Sequence, residues 1–115
     1  HEPINDDFKK VVFDDALPGT IALECVFGLL CNNFTLEKTI DILTRRKDVF
    51  EIEDCPIEIG SKADLTIFNP EVNYVFSENH ILSSSNNCAF LDKNLKGIVY
   101  GAINNNKATL NKLWT

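Results

Sequence analysis

The sequence predicts a mixed fold in which helices come first and strands follow. Between residues 20 and 44, apolar residues recur three and four positions apart, the spacing of one face of an amphipathic helix. From Pro56 onward the period changes to two, as in half-buried strands. Hydrophobic residues make up 44% of the chain, which is enough for a packed core. We therefore expect an α+β unit.

The segment before the helices is polar and acidic. Residues 1–17 predict a loop with one short helical turn, in which Phe8 and Phe13 are apolar anchors. The string Leu17-Pro18-Gly19-Thr20 predicts a turn, with Thr20 as the N-cap of the first helix. The apolar face of that helix is expected at Leu23, Val26, Phe27 and Leu30.

The two predicted helices are joined by a brief connection. The first is expected to end at Asn32-Asn33, because Asn tolerates the left-handed backbone conformation. Thr35 then caps the second helix, and residues 48–54 are compatible with one further helical turn. The short connection predicts antiparallel helices. The apolar face of the second helix is expected at Leu36, Ile40 and Leu43.

The second half of the chain predicts strands. Asn69-Pro70 is expected to stop the first strand, since Pro cannot donate a hydrogen bond to a sheet. Gly97 and Gly101, inside a later strand, indicate tight packing or a bulge. Asn104-Asn105-Asn106 predicts a hairpin turn, because Asn accepts a positive φ. The predicted strands are residues 65–68, 73–76, 97–103 and 107–110, with an irregular stretch at 80–95.

Composition argues against several classes of partner. The net charge of -6 and the pI of about 4.8 disfavour nucleic acid, because an acidic chain repels a phosphate backbone. The apolar run at residues 21–31 is too short for a bilayer and lacks the basic flank of a signal peptide. The four cysteines form no Cys-x-x-Cys pair, which predicts a reducing, cytoplasmic compartment. The chain contains no Met, so we expect a piece of a longer polypeptide.

The titratable residues do not predict a complete active site. A hydrolytic zinc site needs about three protein ligands, and the two histidines, His1 and His80, are far apart in the sequence. His80 lies in a polar stretch, which predicts a surface residue. The acidic pairs Asp6-Asp7 and Asp14-Asp15 are interpreted as solvated loop charges. We therefore expect no self-contained catalytic centre in this chain.

Four blocks of sequence resemble one enzyme family. His1-Glu2-Pro3 is similar to the end of an Asp-His-Ala-Pro-His segment, and residues 16–25 to a Gly loop followed by Leu-Glu. Residues 57–70, with a Gly turn, Ala-Asp and an alternating strand, resemble the return from a barrel to a small β-domain. Residues 83–97 resemble a Ser-x-x-x-Asn-Thr-Pro-Phe…Leu-x-Gly tail. In this order, the blocks resemble the C-terminal portion of a dihydroorotase, in the cyclic amidohydrolase family.

The resemblance implies an α/β fold class and a division of the chain. The chain would be the C-terminal fragment of a (β/α)₈ TIM-barrel amidohydrolase, together with strands of its small accessory β-sandwich. Residues 1–55 would form the end of the barrel, with the substrate loop and the last two helices. Residues 56–115 would supply accessory β-sandwich strands and the C-terminal tail.

The resemblance also implies a chemistry that this chain only partly carries. In the family, one or two zinc ions lie at the C-terminal face of the barrel, and a metal-bound hydroxide attacks the ring amide of dihydroorotate. A strand-eight Asp, expected just before His1, shuttles the proton. The chain would hold no catalytic residue and no zinc ligand, and we expect it to be inactive alone. It would supply substrate-binding positions at His1, Pro3, Ile4, Pro18 and Gly19.

Ile4 departs from the family pattern, which has a His that holds the substrate carboxylate. An apolar side chain cannot donate to a carboxylate, and burying that charge unpaired costs on the order of several kcal/mol. Three functions stay open: a zinc hydrolase interconverting dihydroorotate and N-carbamoyl-aspartate, a non-catalytic scaffold partner of aspartate transcarbamoylase, or another cyclic-amide hydrolase such as an allantoinase. Expected partners are a small-molecule substrate, the rest of the barrel, and either a second copy or aspartate transcarbamoylase.

Overall fold

The computed structural model describes residues 3–112 and contains two helices followed by an antiparallel sheet. Helix α1 (Val26–Asn33) and helix α2 (Leu36–Thr44) precede strands β1 (Leu65–Val75), β2 (Asn94–Asn104) and β3 (Lys107–Leu110). The strand order is β1-β2-β3. The predicted order of elements, with helices before strands, is therefore confirmed. The barrel and the boundary at residue 55 stay predictions. Short 3₁₀ helices occur at Asp6–Lys9, Phe13–Asp15, Asp48–Phe50 and Glu78–His80.

Helix α1 begins later than predicted, and Thr20 is not its cap. Cys25 is the N-cap, and residues 23–25 form the turn that precedes helix α1. The Thr20 hydroxyl instead accepts a hydrogen bond from the Ala89 amide at 2.9 Å, because a distant loop packs against it. The predicted end at Asn33 is confirmed, but for another reason. The helix stops because Phe34 is extended, with φ of -134°.

Helix α2 has the predicted cap. The Thr35 hydroxyl accepts from the amide of Lys38 at 3.3 Å, which satisfies one of the unpaired N–H groups at the helix start. The predicted apolar face is only partly covered, since Ile40 and Leu43 are 39% and 47% exposed. The fully buried residue of the helix is Thr39. Within residues 3–112, this helix therefore presents apolar surface to solvent.

Strand β1 continues through Asn69-Pro70, so the predicted stop was wrong. The register with β2 shifts between Asn69 and Asn73, which places the proline in an irregularity where no ladder hydrogen bond is needed from its nitrogen. The hairpin between β2 and β3 is confirmed. Asn105 and Asn106 have φ of 49° and 60°, as a type I′ turn requires.

The core lies between helix α1 and the sheet. Its buried cluster contains Cys25, Phe76 and Leu95, each at most 1% exposed. A Cβ on Gly97 would lie 3.0 Å from the Phe27 ring, which confirms the tight packing predicted for that glycine. Among residues 3–112, no helix is both long and apolar enough to cross a bilayer.

Candidate functional site

The predicted substrate-binding residues lie on two separate segments. Pro3 and Ile4 precede the first 3₁₀ helix, whereas Pro18 and Gly19 lie in the loop before helix α1. Pro3, Pro18 and Gly19 are exposed, and Ile4 is half-buried. His1 lies outside the described residues. Both segments contact the same stretch of chain, residues 82–89, which we name the clasp.

Asn87 is the centre of the clasp. Its side chain is 8% exposed, and its Oδ1 accepts a hydrogen bond from the Ile4 amide at 3.3 Å. The Ser85 hydroxyl is 2.7 Å from the same oxygen and also contacts the Ile4 carbonyl, with one proton to share between the two acceptors. The backbone of Ile4 is therefore held by the clasp on both its donor and its acceptor.

The loop before helix α1 is held by the same residue. The Asn87 carbonyl accepts from the Thr20 hydroxyl at 3.0 Å and from the Ile21 amide at 3.2 Å. The Thr20 hydroxyl in turn accepts from Ala89, as described above. Asn87 thus connects the Ile4 segment through its side chain and the Gly19 loop through its backbone. The two predicted binding segments are brought together by a residue that neither of them contains.

Glu24 fastens the other end of the clasp. Its Oε1 accepts from the Leu82 amide at 3.3 Å, from the Ser83 amide at 2.9 Å and from the Ser83 hydroxyl. Burial acts to raise the pKa of Glu24, but these hydrogen bonds outweigh it and hold the pKa below its ordinary value of 4.5. The carboxylate is therefore ionised at neutral pH and serves to anchor the clasp to the start of helix α1.

Lys9 also binds the Gly19 loop. The Lys9 ammonium donates to the carbonyl of Leu17 at 2.9 Å and to that of Gly19 at 2.7 Å. Gly19 has φ of 120°, a conformation that side chains rarely adopt. Glycine permits this backbone conformation, and one ammonium group and the clasp hold the loop in it.

A polar cleft of about 410 Å³ opens beside the Ile4 segment. It lies where the Ile4 segment meets the clasp, and it is large enough for a small organic molecule. The cleft is open to solvent rather than enclosed. Its lining residues are Pro3, Asn5, Ser84, Ser85 and Asn86.

His80 is not the surface residue that the sequence predicted. It is half-buried, because its ring packs 5.3 Å from the ring of Tyr74 and 5.6 Å from that of Phe76. Its Nδ1 accepts from the Ser77 amide at 3.0 Å. With Glu24 and Leu82, His80 also lines a cavity of about 90 Å³, which is large enough for only a few water molecules.

The described residues do not fit a zinc ion. Within residues 3–112, His, Cys, Asp and Glu form no group of three that could hold a metal. The four cysteines are free, and burial raises the pKa of Cys25 to about 12, which keeps it a neutral thiol. The arrangement can position backbone groups around a small molecule, and its chemistry would have to come from other residues.

Sequence reasoning missed three residues that hold the site together. Lys9 gave no signal, since a lysine in an acidic loop is ordinary. Asn87 and Glu24 fell inside quoted blocks, but nothing in a single sequence reveals which loop they contact. Their partners are 58 to 83 positions away in the chain.

Comparisons with known proteins point to one family, although no protein-family model matches. Over 114 residues the chain is 32% identical to a dihydroorotase of Chlorobaculum tepidum, and over 117 residues 33% identical to one of Clostridium acetobutylicum. A dihydroorotase of Caldicellulosiruptor saccharolyticus is 31% identical over 114 residues. Each alignment covers 93% of this chain.

The chain is a homologue of part of a dihydroorotase. It spans about a quarter of the length of the relatives it matches, 26% or 27% in these three cases. The resemblance inferred from the sequence blocks is thereby confirmed, and the coverage is consistent with a C-terminal portion of a dihydroorotase. Because the alignments cover 93% of the chain, the similarity includes both the clasp and the Gly19 loop.

Proposed function

We propose that this chain is part of a dihydroorotase-like zinc hydrolase that interconverts dihydroorotate and N-carbamoyl-aspartate in pyrimidine biosynthesis. The observation that carries the proposal is identity of about 30% to several dihydroorotases along 93% of the chain. The zinc ligands and the proton-shuttling Asp would come from residues outside this chain. The chain alone would be inactive, and the free cysteines support a cytoplasmic location.

The role proposed for this chain is one wall of the substrate pocket. His1, Pro3, Ile4, Pro18 and Gly19 are its proposed binding positions. The hydrogen bonds that Asn87 accepts from both segments support this role, because a pocket wall must hold its backbone groups in fixed positions. The remainder of the barrel would be its first partner, and a second copy of the polypeptide is a further candidate.

Ile4 favours one alternative, a non-catalytic scaffold that assembles with aspartate transcarbamoylase. The Ile4 side chain offers no donor to a substrate carboxylate, and its amide is already bonded to Asn87. An active parent would therefore bind its substrate with fewer donors than the family pattern provides. Replacing Ile4 with the histidine of the family pattern distinguishes the two functions experimentally.

The test uses the longer polypeptide that contains this chain. We expect zinc-dependent hydrolysis of dihydroorotate that a chelator abolishes, with no hydrolysis of allantoin. Ile4→His should raise kcat/KM about tenfold, since a hydrogen bond to a charged group contributes about 1.5–3 kcal/mol. Ile4→Leu is the matched control and should change it less than about twofold. Inactivity of both the wild type and Ile4→His, with capture of aspartate transcarbamoylase, would favour the scaffold.

A further inference from the structure

We propose that Lys9 is a positioning residue that sets the shape of the Gly19 substrate loop. This inference rests on the function proposed above. Lys9 is the last residue of the 3₁₀ helix Asp6–Lys9, and its ammonium reaches two carbonyls of the loop, those of Leu17 and Gly19. Bonds from a charged donor are among the stronger hydrogen bonds in proteins.

The two bonded carbonyls determine the direction of neighbouring groups. Because a peptide unit is planar and trans, fixing the Gly19 carbonyl also fixes the direction of the Thr20 N–H. Gly19 has a φ of 120°, but glycine can adopt many other backbone conformations. Without an external restraint, the loop would therefore adopt other shapes. The ammonium supplies such a restraint at the carbonyls of Leu17 and Gly19, in addition to the contacts of Asn87 with this loop.

The base of the lysine is itself fixed relative to the loop. The Leu17 amide donates to the Phe8 carbonyl at 3.4 Å, which holds the 3₁₀ helix against the start of the loop. Lys9 is half-buried, whereas the neighbouring Lys10 is exposed. The side chain therefore has a defined position from which to hold the loop.

Lys10 provides a matched control. It carries the same charge on the neighbouring residue, but its ammonium forms an ion pair with Asp7 at 3.7 Å, in which both side chains are largely exposed. Exposed pairs of this kind contribute little. Lys9→Met and Lys10→Met remove the same net charge, and their comparison separates loop positioning from general attraction of an anionic substrate.

The experiment measures kcat and KM for dihydroorotate in the polypeptide that contains this chain. Lys9→Met should raise KM about tenfold with a smaller change in kcat, because a disordered loop weakens substrate binding. Lys10→Met should change KM less than about twofold. Lys9→Arg, which keeps several donors, should recover part of the loss. Equal effects of both methionine variants, or no effect of Lys9→Met, would overturn the proposal.

A second measurement separates this inference from the proposed function. Hydrogen exchange of the backbone across residues 17–20 should be faster in Lys9→Met than in Lys10→Met, whether or not the polypeptide hydrolyses anything. If the wild type is inactive, the proposed hydrolase fails, and the exchange rates decide the inference. Equal exchange in the two variants would then show that Lys9 does not hold the loop.

Discussion

We define the clasp region as the clasp together with Ile21, Glu24 and Cys25. It differs from the segment around helix α2 in burial and in hydrogen bonding. In the first region, Ile21 and Cys25 are fully buried, and Asn87 makes its hydrogen bonds at 8% exposure. In the second, Phe50 and Ile57 are 71% and 86% exposed. We name the second region the apolar face, defined by its exposed residues Ile40, Leu43, Val49, Phe50, Ile52, Ile57 and Ile59.

The difference lies in the buried hydrogen-bonding residues rather than in the exposed apolar ones, since Leu82 of the clasp is itself 80% exposed. In the clasp region, Asn87 and Glu24 accept hydrogen bonds from partners within residues 3–112. The apolar face resembles a surface that packs against another element, because its residues are large, hydrophobic and exposed, and monomers rarely expose many such residues together. Under the proposed function, the rest of the barrel would cover it. The site-bearing region would therefore keep its geometry here, whereas the apolar face would depend on the longer polypeptide.

The largest effect is expected in the core under the clasp region. Leu95→Ala should lower the free energy of unfolding by about 3 kcal/mol, since Leu95 is 1% exposed and its loss leaves a cavity against helix α1. Urea unfolding followed by circular dichroism measures the change. Leu82→Ala is the control, because Leu82 is 80% exposed, and should change stability by less than about 0.5 kcal/mol. Equal losses in the two variants would refute the assigned core.

A smaller, pH-dependent effect is expected at Glu24. Glu24→Gln should cost about 1 kcal/mol at pH 7, because the amide is a weaker acceptor than the carboxylate for the three donors of the clasp. The folded pKa of Glu24 is lowered, so its contribution is complete above the unfolded value of about 4.5 and is lost as pH falls through the folded pKa. Urea midpoints from pH 7 down to pH 3 measure this.

The control for Glu24 is Glu58→Gln, since Glu58 is exposed. It should leave the midpoints within experimental error of the wild type at every pH. A Glu24→Gln profile that stays parallel to the wild type throughout would mean that the carboxylate does not anchor the clasp.

The smallest effect in the chain by itself is expected on the apolar face. Phe50→Ser should change the stability of the 115-residue chain by less than about 0.5 kcal/mol, because Phe50 is already 71% exposed. In the longer polypeptide the same change should cost about 2 kcal/mol, as expected for a buried aromatic side chain. Phe76→Ser, at a core position, should be costly in both. A neutral Phe50→Ser in the longer polypeptide would mean that nothing covers this face.

Local signals were enough to predict helix α2 and the hairpin between β2 and β3. Thr35 caps a helix three residues before its partner amide, and Asn105 and Asn106 form their turn between adjacent residues. Such features depend on a few neighbouring positions and are visible in the sequence. The continuation of β1 through Pro70 was missed because only the partner strand shows that the register shifts there.

The candidate site was predictable only as a set of positions. The resemblance supplied Pro3, Ile4, Pro18 and Gly19, but not the contacts that bring them together. The bond from the Ile4 amide to Asn87 spans 83 positions, and no periodicity or capping rule predicts a contact between two loops so far apart. Thr20 illustrates the same limit. Its hydroxyl has the properties of a helix N-cap, but it instead accepts a hydrogen bond from the Ala89 amide.

The most direct test of the account is the intact mass of the natural polypeptide that contains this chain, with peptide sequencing upstream of His1. The account predicts a mass roughly four times 13.0 kDa, since the chain spans about a quarter of its relatives, with Asp before His1 and His-x-His near the start. A natural polypeptide of 13.0 kDa would contradict it. The apolar face would then need a separate partner, and the zinc hydrolase would be refuted.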